Sequence, residues 1–332
     1  MPQVINQIGD SPSHLPRRQR NWLLALAAVV ILFIAARVAI SYWVDLLWFQ
    51  SLGYSAVFWR TRVLEFSILA AFTVVTFAIL FAAFTVLKRL QQDGLPRAHE
   101  IVLQGSTVNL PVGPVLRFLT WAVSLGAAVI TGVSMLANWP TFALFFYAPR
   151  TANLTDPIFS RPISFFLFTL PAWQLLLDWA LTLAIIIGAF AVLLTILATG
   201  ARALNKDLVR YAGSPWRALS VALSFLLLVL AVNVYVGRFQ TILDHHTIFD
   251  GVTYTDAHIT LTGLLFVCAA LVLGAILAAL NAARNTRANG LFIAVGPAVI
   301  TYTLVTLVGW YVGSFIVKPN ELVREGPFIS HN

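Results

Sequence analysis

Seven stretches of this chain are apolar for long enough to cross a bilayer, and they restrict its fold more than any other feature. They run from Trp22 to Trp43, Val63 to Leu87, Val115 to Ala137, Pro171 to Thr199, Trp216 to Gly237, Ile259 to Ala283 and Leu291 to Val317. A hydrocarbon core about 30 Å thick is crossed by about 20 residues of helix, in which the backbone satisfies its own hydrogen bonds. The expectation is an all-α polytopic transmembrane bundle of about seven spans. Composition points the same way, because 10% charged residues cannot cover a water-facing surface that in soluble proteins draws on about 25%. Arg17, Arg18 and Arg20 precede the first stretch as they would in a signal peptide. That stretch is too long for one and no small-residue cleavage site follows it, so it reads as a retained helix.

Charge sets the expected orientation. Placing the N-terminus inside puts thirteen of the 21 Lys and Arg residues on the cytoplasmic side and seven outside, with Arg37 alone within a span. Asp156, Asp244, Asp250, Asp256, Glu321 and Glu325 then gather outside. The positive-inside rule therefore gives N-in, C-out. It also accounts for the net charge of +8: the partner is a bilayer with an anionic inner leaflet, and no nucleic acid is required. The single Cys268 excludes an intrachain disulfide and any cysteine-rich metal motif.

Between the spans, residues 1–21 read as a disordered cytoplasmic tail, and 22–317 as the membrane domain. The loop 88–114, broken by Gly94, Pro96, Gly105, Pro111 and Gly113, reads as a connector. Arg202, Lys206 and Arg210 form a snorkelling basic flank or a short surface helix. The loop 138–170 differs in kind, since its aromatics, among them Trp139, Phe142, Phe145, Phe159, Phe165 and Phe168, are interrupted by Pro140, Pro149, Pro157 and Pro162. Its clusters are too short to span, so they are expected as interfacial or half-buried helices of the outer leaflet, serving as anchors or lining a vestibule for lipid or hydrophobic substrate. Residues 318–332 form an extracytoplasmic stub, the start of a truncated outer domain.

Charges inside a membrane are functional candidates because each costs roughly 2.5–3.5 kcal/mol on insertion scales. Arg37 and Asp178 fall at matching depths below the outer ends of spans one and four, which suggests an ion pair, with Glu65 as a competing partner. Asp244, His245, His246, Asp250, Asp256 and His258, between spans five and six, are the candidate metal ligands, although in a loop such residues are more often turn-formers and solvated polar groups. In span seven, Pro297 with Thr301, Thr303, Thr306, Gly309, Gly313 and Ser314 suits a transport path or plain close packing. No Walker loop, HExxH, Rossmann fingerprint or Ser/His/Asp context is present. No cofactor is implied, and nothing argues for an enzyme.

The stretch Asp45-Leu46-Leu47-Trp48-Phe49-Gln50-Ser51-Leu52-Gly53-Tyr54 with Val57-Phe58, and Asp156-Pro157-Ile158-Phe159 leading into Ile163 to Pro171, resemble the bacterial membrane proteins of Uncharacterised Protein Family 0182. Tyr254-Thr255-Asp256 with His258, and Val317-Lys318-Pro319-Asn320-Glu321-Leu322, follow in the order the resemblance implies. Pro162 departs from it by standing where an acidic residue is common, and the segment after His258 lacks the proline often found there. The resemblance implies a seven-span region in a bacterial plasma membrane followed by a large extracytoplasmic portion. This chain would then be a truncated member, a fragmentary gene product or the membrane half of a split pair. The expected role is a membrane anchor or transport-related component for an extracytoplasmic domain or partner. The alternative is a membrane-embedded enzyme acting on lipid-linked substrates through the outer Asp and His residues.

Overall fold

The computed structural model describes residues 17–91, 99–103, 106–110, 112–149, 154–204, 214–244, 251–284 and 288–329. The chain divides into two compact units, Met1–Leu64 and Glu65–Asn332. Seven helical segments are long and apolar enough to cross a membrane, beginning at Ala28, Ser55, Gly113, Phe165, Arg217, Asp256 and Ala288. They coincide with the seven apolar stretches. Large side chains such as Phe33, Phe118, Ile130 and Phe292 are 70% or more exposed, a surface suited to lipid rather than water.

In the first unit α1 (Arg17–Ser51) is followed by the start of α2 (Ser55–Leu90). Helix therefore begins within the stretch expected as a tail, because Arg17, Arg18 and Arg20 continue the first helical turns. The corner between the helices is a Schellman closure: Tyr54 N–H donates to the Phe49 carbonyl at 2.9 Å and Gly53 N–H to that of Gln50 at 3.0 Å. Gly53 sits at φ +75°, a conformation that glycine adopts without a Cβ clash. Arg62 locks the corner from α2. Its guanidinium lies 4.5 Å from the Tyr42 ring centroid and 5.2 Å from that of the buried Phe58, and 3.7 Å from the Asp45 carboxylate.

In the second unit the remainder of α2 is joined by α3 (Val112–Ala137), α4 (Trp139–Tyr147), α5 (Leu170–Leu204), α6 (Arg217–Gly237), α7 (Leu261–Ala283), α8 (Ala288–Tyr311) and α9 (Glu321–Ile329). One core joins Leu80, Phe84 and Leu87 of α2 to Leu116 of α3, Phe190 and Leu194 of α5, and Ala218 and Ala222 of α6; a second joins α6, α7 and α8. Apolar burial drives little association when lipid is the alternative, so close van der Waals approach matters more. Ala128, Ala184, Ala191, Ala198, Ala278 and Ala294 are accordingly fully buried. Gly274 of α7 rests against the Ala294 carbonyl of α8, Gly263 against Val305, and Gly290 against Asn281.

Buried polar groups tie the helices at intervals. The Trp179 indole N–H donates to Thr76 Oγ1 at 2.9 Å, and Thr131 Oγ1 lies 3.2 Å from the same hydroxyl, so α2, α3 and α5 share one node. Lys88 donates to Thr120 Oγ1 at 2.9 Å, and the Gln91 amide to the Pro215 carbonyl at 2.6 Å. A departure from the all-α expectation is an antiparallel hairpin of β1 (His99–Leu103) and β2 (Ser106–Leu110), in the loop read as a connector. Its β-branched residues, Ile101, Val102, Thr107 and Val108, favour extended backbone on either side of the Gln104-Gly105 pair.

The opposite end of the bundle, where α4 lies, is less regular. π-helical turns at Phe165–Thr169, Asp256–Thr260 and Val312–Val317 continue into α5 and α7 and out of α8. A 3₁₀ turn, Arg238–Leu243, ends α6. α4, at about 14 Å from nine residues, is too short to cross a bilayer, as expected for the aromatic loop. Beyond the last π turn the segment expected as a stub is helical, with a 3₁₀ turn at Lys318–Asn320 carrying Pro319 at its start and leading into α9.

Candidate functional site

The turn after α4 is specified locally by Asp156. Its carboxylate accepts the N–H groups of Ile158 at 3.0 Å and Phe159 at 2.6 Å, while its own N–H donates to the Arg161 carbonyl at 2.8 Å. Ser160 is driven to φ +53°, a left-handed conformation costing a non-glycine residue about 1–2 kcal/mol. The Ile163 N–H donates to the Leu154 carbonyl at 3.1 Å and closes the loop. Arg161 is thereby fixed at the mouth of the turn, its guanidinium 5.7 Å from the Phe165 ring centroid.

Phe165 is one member of an aromatic assembly. Its ring meets Phe239 edge-on at 5.4 Å, and Phe159 lies 4.9 Å from Phe239. Phe166, Leu170 and Phe239 are the buried centre, with Val236 and Ile242 packed on it. Arg238 enters from the end of α6, 5.1 Å from the Tyr235 centroid, 5.6 Å from Phe239 and 5.9 Å from Phe159. Each such contact contributes about 0.5–1 kcal/mol at exposed sites and more when desolvated. Among the described residues neither guanidinium has a carboxylate within ion-pair reach, and the buried Arg238 Nε makes no hydrogen bond. Beside this assembly Leu144, Phe145 and Ala148 of the α4 region, with Arg161, Pro162, Ser164 and Phe165, and with Phe168, Thr169 and Trp173, line a cavity of about 330 Å³.

A second cluster joins α9 to the start of α7. Thr253 and Asp256 cap the helix reciprocally: Asp256 N–H donates to Thr253 Oγ1 at 3.1 Å, and the Asp256 carboxylate accepts the Thr253 hydroxyl at 2.7 Å. The buried Glu325 carboxylate accepts the Tyr254 N–H at 2.9 Å, and Arg324 donates to the Tyr254 hydroxyl at 2.7 Å. His258 stacks on Tyr254 at 4.2 Å, with Phe328 edge-on to both. Its Nδ1 lies 3.0 Å from the Tyr254 carbonyl. A carbonyl can only accept, so Nδ1 is the donor in this contact.

Of the six metal candidates, His245, His246 and Asp250 lie outside the described residues. The Asp244 carbonyl accepts the Gly251 N–H at 2.8 Å, pinning the ends of that loop together. Asp256 and His258 hold the helix start, and among the described residues no three His, Cys, Asp or Glu side chains stand close enough to share a metal ion. Arg37 is exposed in the first unit, while Asp178 is exposed and Glu65 half-buried in the second; their pairing stands as a proposal. In α8 the hydroxyls of Thr301, Thr303 and Thr306 each donate to the carbonyl four residues back, at 2.7, 2.8 and 2.9 Å. That use favours packing over a polar path.

Sequence reasoning missed the association of Arg161 and Arg238 with one aromatic core, and the clasp of Arg324 and Glu325 on Tyr254. Local spacing held part of the signal: Arg161 precedes Phe165 by one helical turn, and Arg238 adjoins Phe239 one turn after Tyr235.

The sequence model of the uncharacterised protein family UPF0182 matches residues 22–332. Curated relatives carrying the name UPF0182 protein include one from Nocardioides, 27% identical over 95% of this chain and 31% of its own length. Another from Thermobifida fusca is 29% identical over 98% and 32%, and one from Cupriavidus necator is 31% identical over 96% and 35%. The chain thus spans about a third of the length of the relatives it matches. No solved structure matches it.

Proposed function

The chain belongs to the uncharacterised protein family UPF0182, and from that premise we propose that it is a membrane anchor or transport-related component. In this reading it lies N-in and C-out in the bacterial plasma membrane and holds an extracytoplasmic domain or protein partner at the α4 end. The observation that carries the proposal is the clasp on Tyr254. Where the last span ends, Glu325 and Arg324 fasten α9 back onto the start of α7, so α9 is held in a fixed position against the bundle. Relatives about three times as long supply the kind of polypeptide a segment held in this way would carry. The basic residues flanking the spans support the orientation.

Orientation is tested in a Cys268→Ser background, which removes the only cysteine. Single cysteines at Ser160 and Arg284 are exposed to a membrane-impermeant maleimide on intact cells. Labelling of Ser160→Cys and protection of Arg284→Cys is expected, and the reverse pattern overturns the orientation. Anchoring is tested by exporting the remaining portion of the Cupriavidus necator relative as a separate polypeptide. Retention of that portion in the membrane fraction should depend on this chain and fall when Arg324→Ala and Glu325→Ala open the clasp. Retention indifferent to the chain overturns the anchoring role. An enzyme acting through the Asp and His residues would instead lose function in the Asp256→Ala, His258→Ala double variant while still folding.

A further inference from the structure

We propose that the cavity beside α4 binds an anionic amphiphile: a phosphate-bearing lipid whose head group meets Arg161 and whose tail lies against Phe145, Phe168 and Trp173. Three observations converge on it. The cavity, about 330 Å³, has a divided lining, with the Arg161 side chain and the hydroxyl residues Ser164 and Thr169 among wide aromatic surfaces. A bilayer amphiphile has that same division. Among the described residues no carboxylate lies within ion-pair distance of the cation at its edge, Arg161, and the Asp156 carboxylate of the same turn is engaged by the Ile158 and Phe159 N–H groups. A second guanidinium that has no carboxylate in ion-pair reach among the described residues, Arg238, is carried on the same ring stack through Phe165 and Phe239 and adds a second positive charge nearby. A guanidinium offers a planar fork of donors matched to phosphate oxygens.

The position of Arg161 is also prepared before any ligand arrives. The Asp156 turn fixes its backbone from both sides, and the Phe165 face holds its side chain. Its backbone therefore has little conformational freedom left to lose on binding, while the exposed side chain remains accessible to a head group. Phosphate chemistry could reach the cavity from a lipid head group or from a free anion. The apolar lining favours the lipid, because a free phosphate would leave Phe145, Phe168 and Trp173 without a ligand surface.

The purified full chain is stripped of lipid and titrated, under native mass spectrometry, with phosphatidylglycerol, with phosphatidylcholine of identical tails, and with inorganic phosphate as a competitor. Phosphatidylglycerol should be retained in preference to phosphatidylcholine, and Arg161→Gln should reduce that preference about tenfold, as expected for loss of one charge-assisted contact. Arg161→Lys should keep part of it. Ala148→Trp, which fills the cavity and leaves the charge, should lower retention of both lipids. Preference unchanged in Arg161→Gln, or retention unchanged in Ala148→Trp, overturns the proposal, as does full displacement of the lipid by inorganic phosphate. The inference needs these helices to lie in lipid and does not depend on which side the α4 end faces. A reversed maleimide pattern therefore leaves it standing, and its own failure leaves the orientation standing.

Discussion

Gly274→Ala tests whether backbone proximity sets the spacing of α7 and α8. A Cβ on Gly274 would overlap the Ala294 carbonyl oxygen and come within 3.3 Å of Leu227 Cδ1 and 3.4 Å of the Ala294 carbonyl carbon. Alanine is the better helix former by about 0.8–1.0 kcal/mol, so an uncrowded site should gain from the change. Here the obstacle is backbone that cannot rotate aside, and overpacking costs typically 1–3 kcal/mol. Tilting gives no relief, because Gly263 against Val305 and Asn281 against Gly290 hold the same pair above and below. The upper part of that range therefore applies, leaving a net loss of about 2 kcal/mol. Gly263→Ala meets only the Val305 side chain and should cost less, while Gly188→Ala on α5, with nothing within 4 Å, should be neutral or stabilising. The measurement is the loss of monodisperse protein on heating in detergent, followed by fluorescence-detected gel filtration. A Gly274→Ala midpoint equal to that of Gly188→Ala would refute the reasoning.

Three further outcomes are expected. Thr76→Val removes the acceptor of the Trp179 indole and should cost about 1–3 kcal/mol, with Thr76→Ser recovering most of it in the same melting assay. Asp256→Ala breaks the reciprocal cap with Thr253 and should cost about 0.5–2 kcal/mol; elemental analysis of wild type and variant shows whether any metal leaves with the carboxylate. The proposed Arg37 and Asp178 pair requires coupling in a double-mutant cycle, and additive losses in the two alanine variants would end it.

The seven spans were legible because membrane insertion writes itself into every residue of a segment. The aromatic loop was legible for a related reason: nine residues of α4 cannot cross a bilayer, however apolar. The β-hairpin was hidden because Gly94, Pro96 and Gly105 interrupt the loop too often for alternation to stand out. The extension of span seven into α9 was hidden because the apolar run stops at Val317, while Pro319 lies at a helix start and Pro327 inside α9. The candidate site was only partly legible. Arg161 and Phe165 are neighbours in sequence, but Phe165 meets Phe239, and Tyr254 meets Glu325, through folding that local spacing does not encode. Asp256 and His258 were visible as chemistry-bearing residues, yet their hydrogen bonds reveal a helix start.

The three π-helical turns all fall toward the α4 end, and each interrupts the angular phase of its helix. In an α-helix one residue advances the face by about 100°. Deleting a residue from Phe165–Thr169 would therefore do more than shorten α5. It would swing everything before the deletion, including Arg161 and its turn, about a quarter of the way around the axis, away from Phe239, while Trp179 and Phe190 farther along kept their bearings. The bundle thus has two parts with different sensitivities to insertion and deletion: a phase-locked shaft, and an end whose pointing direction is set by single-residue offsets.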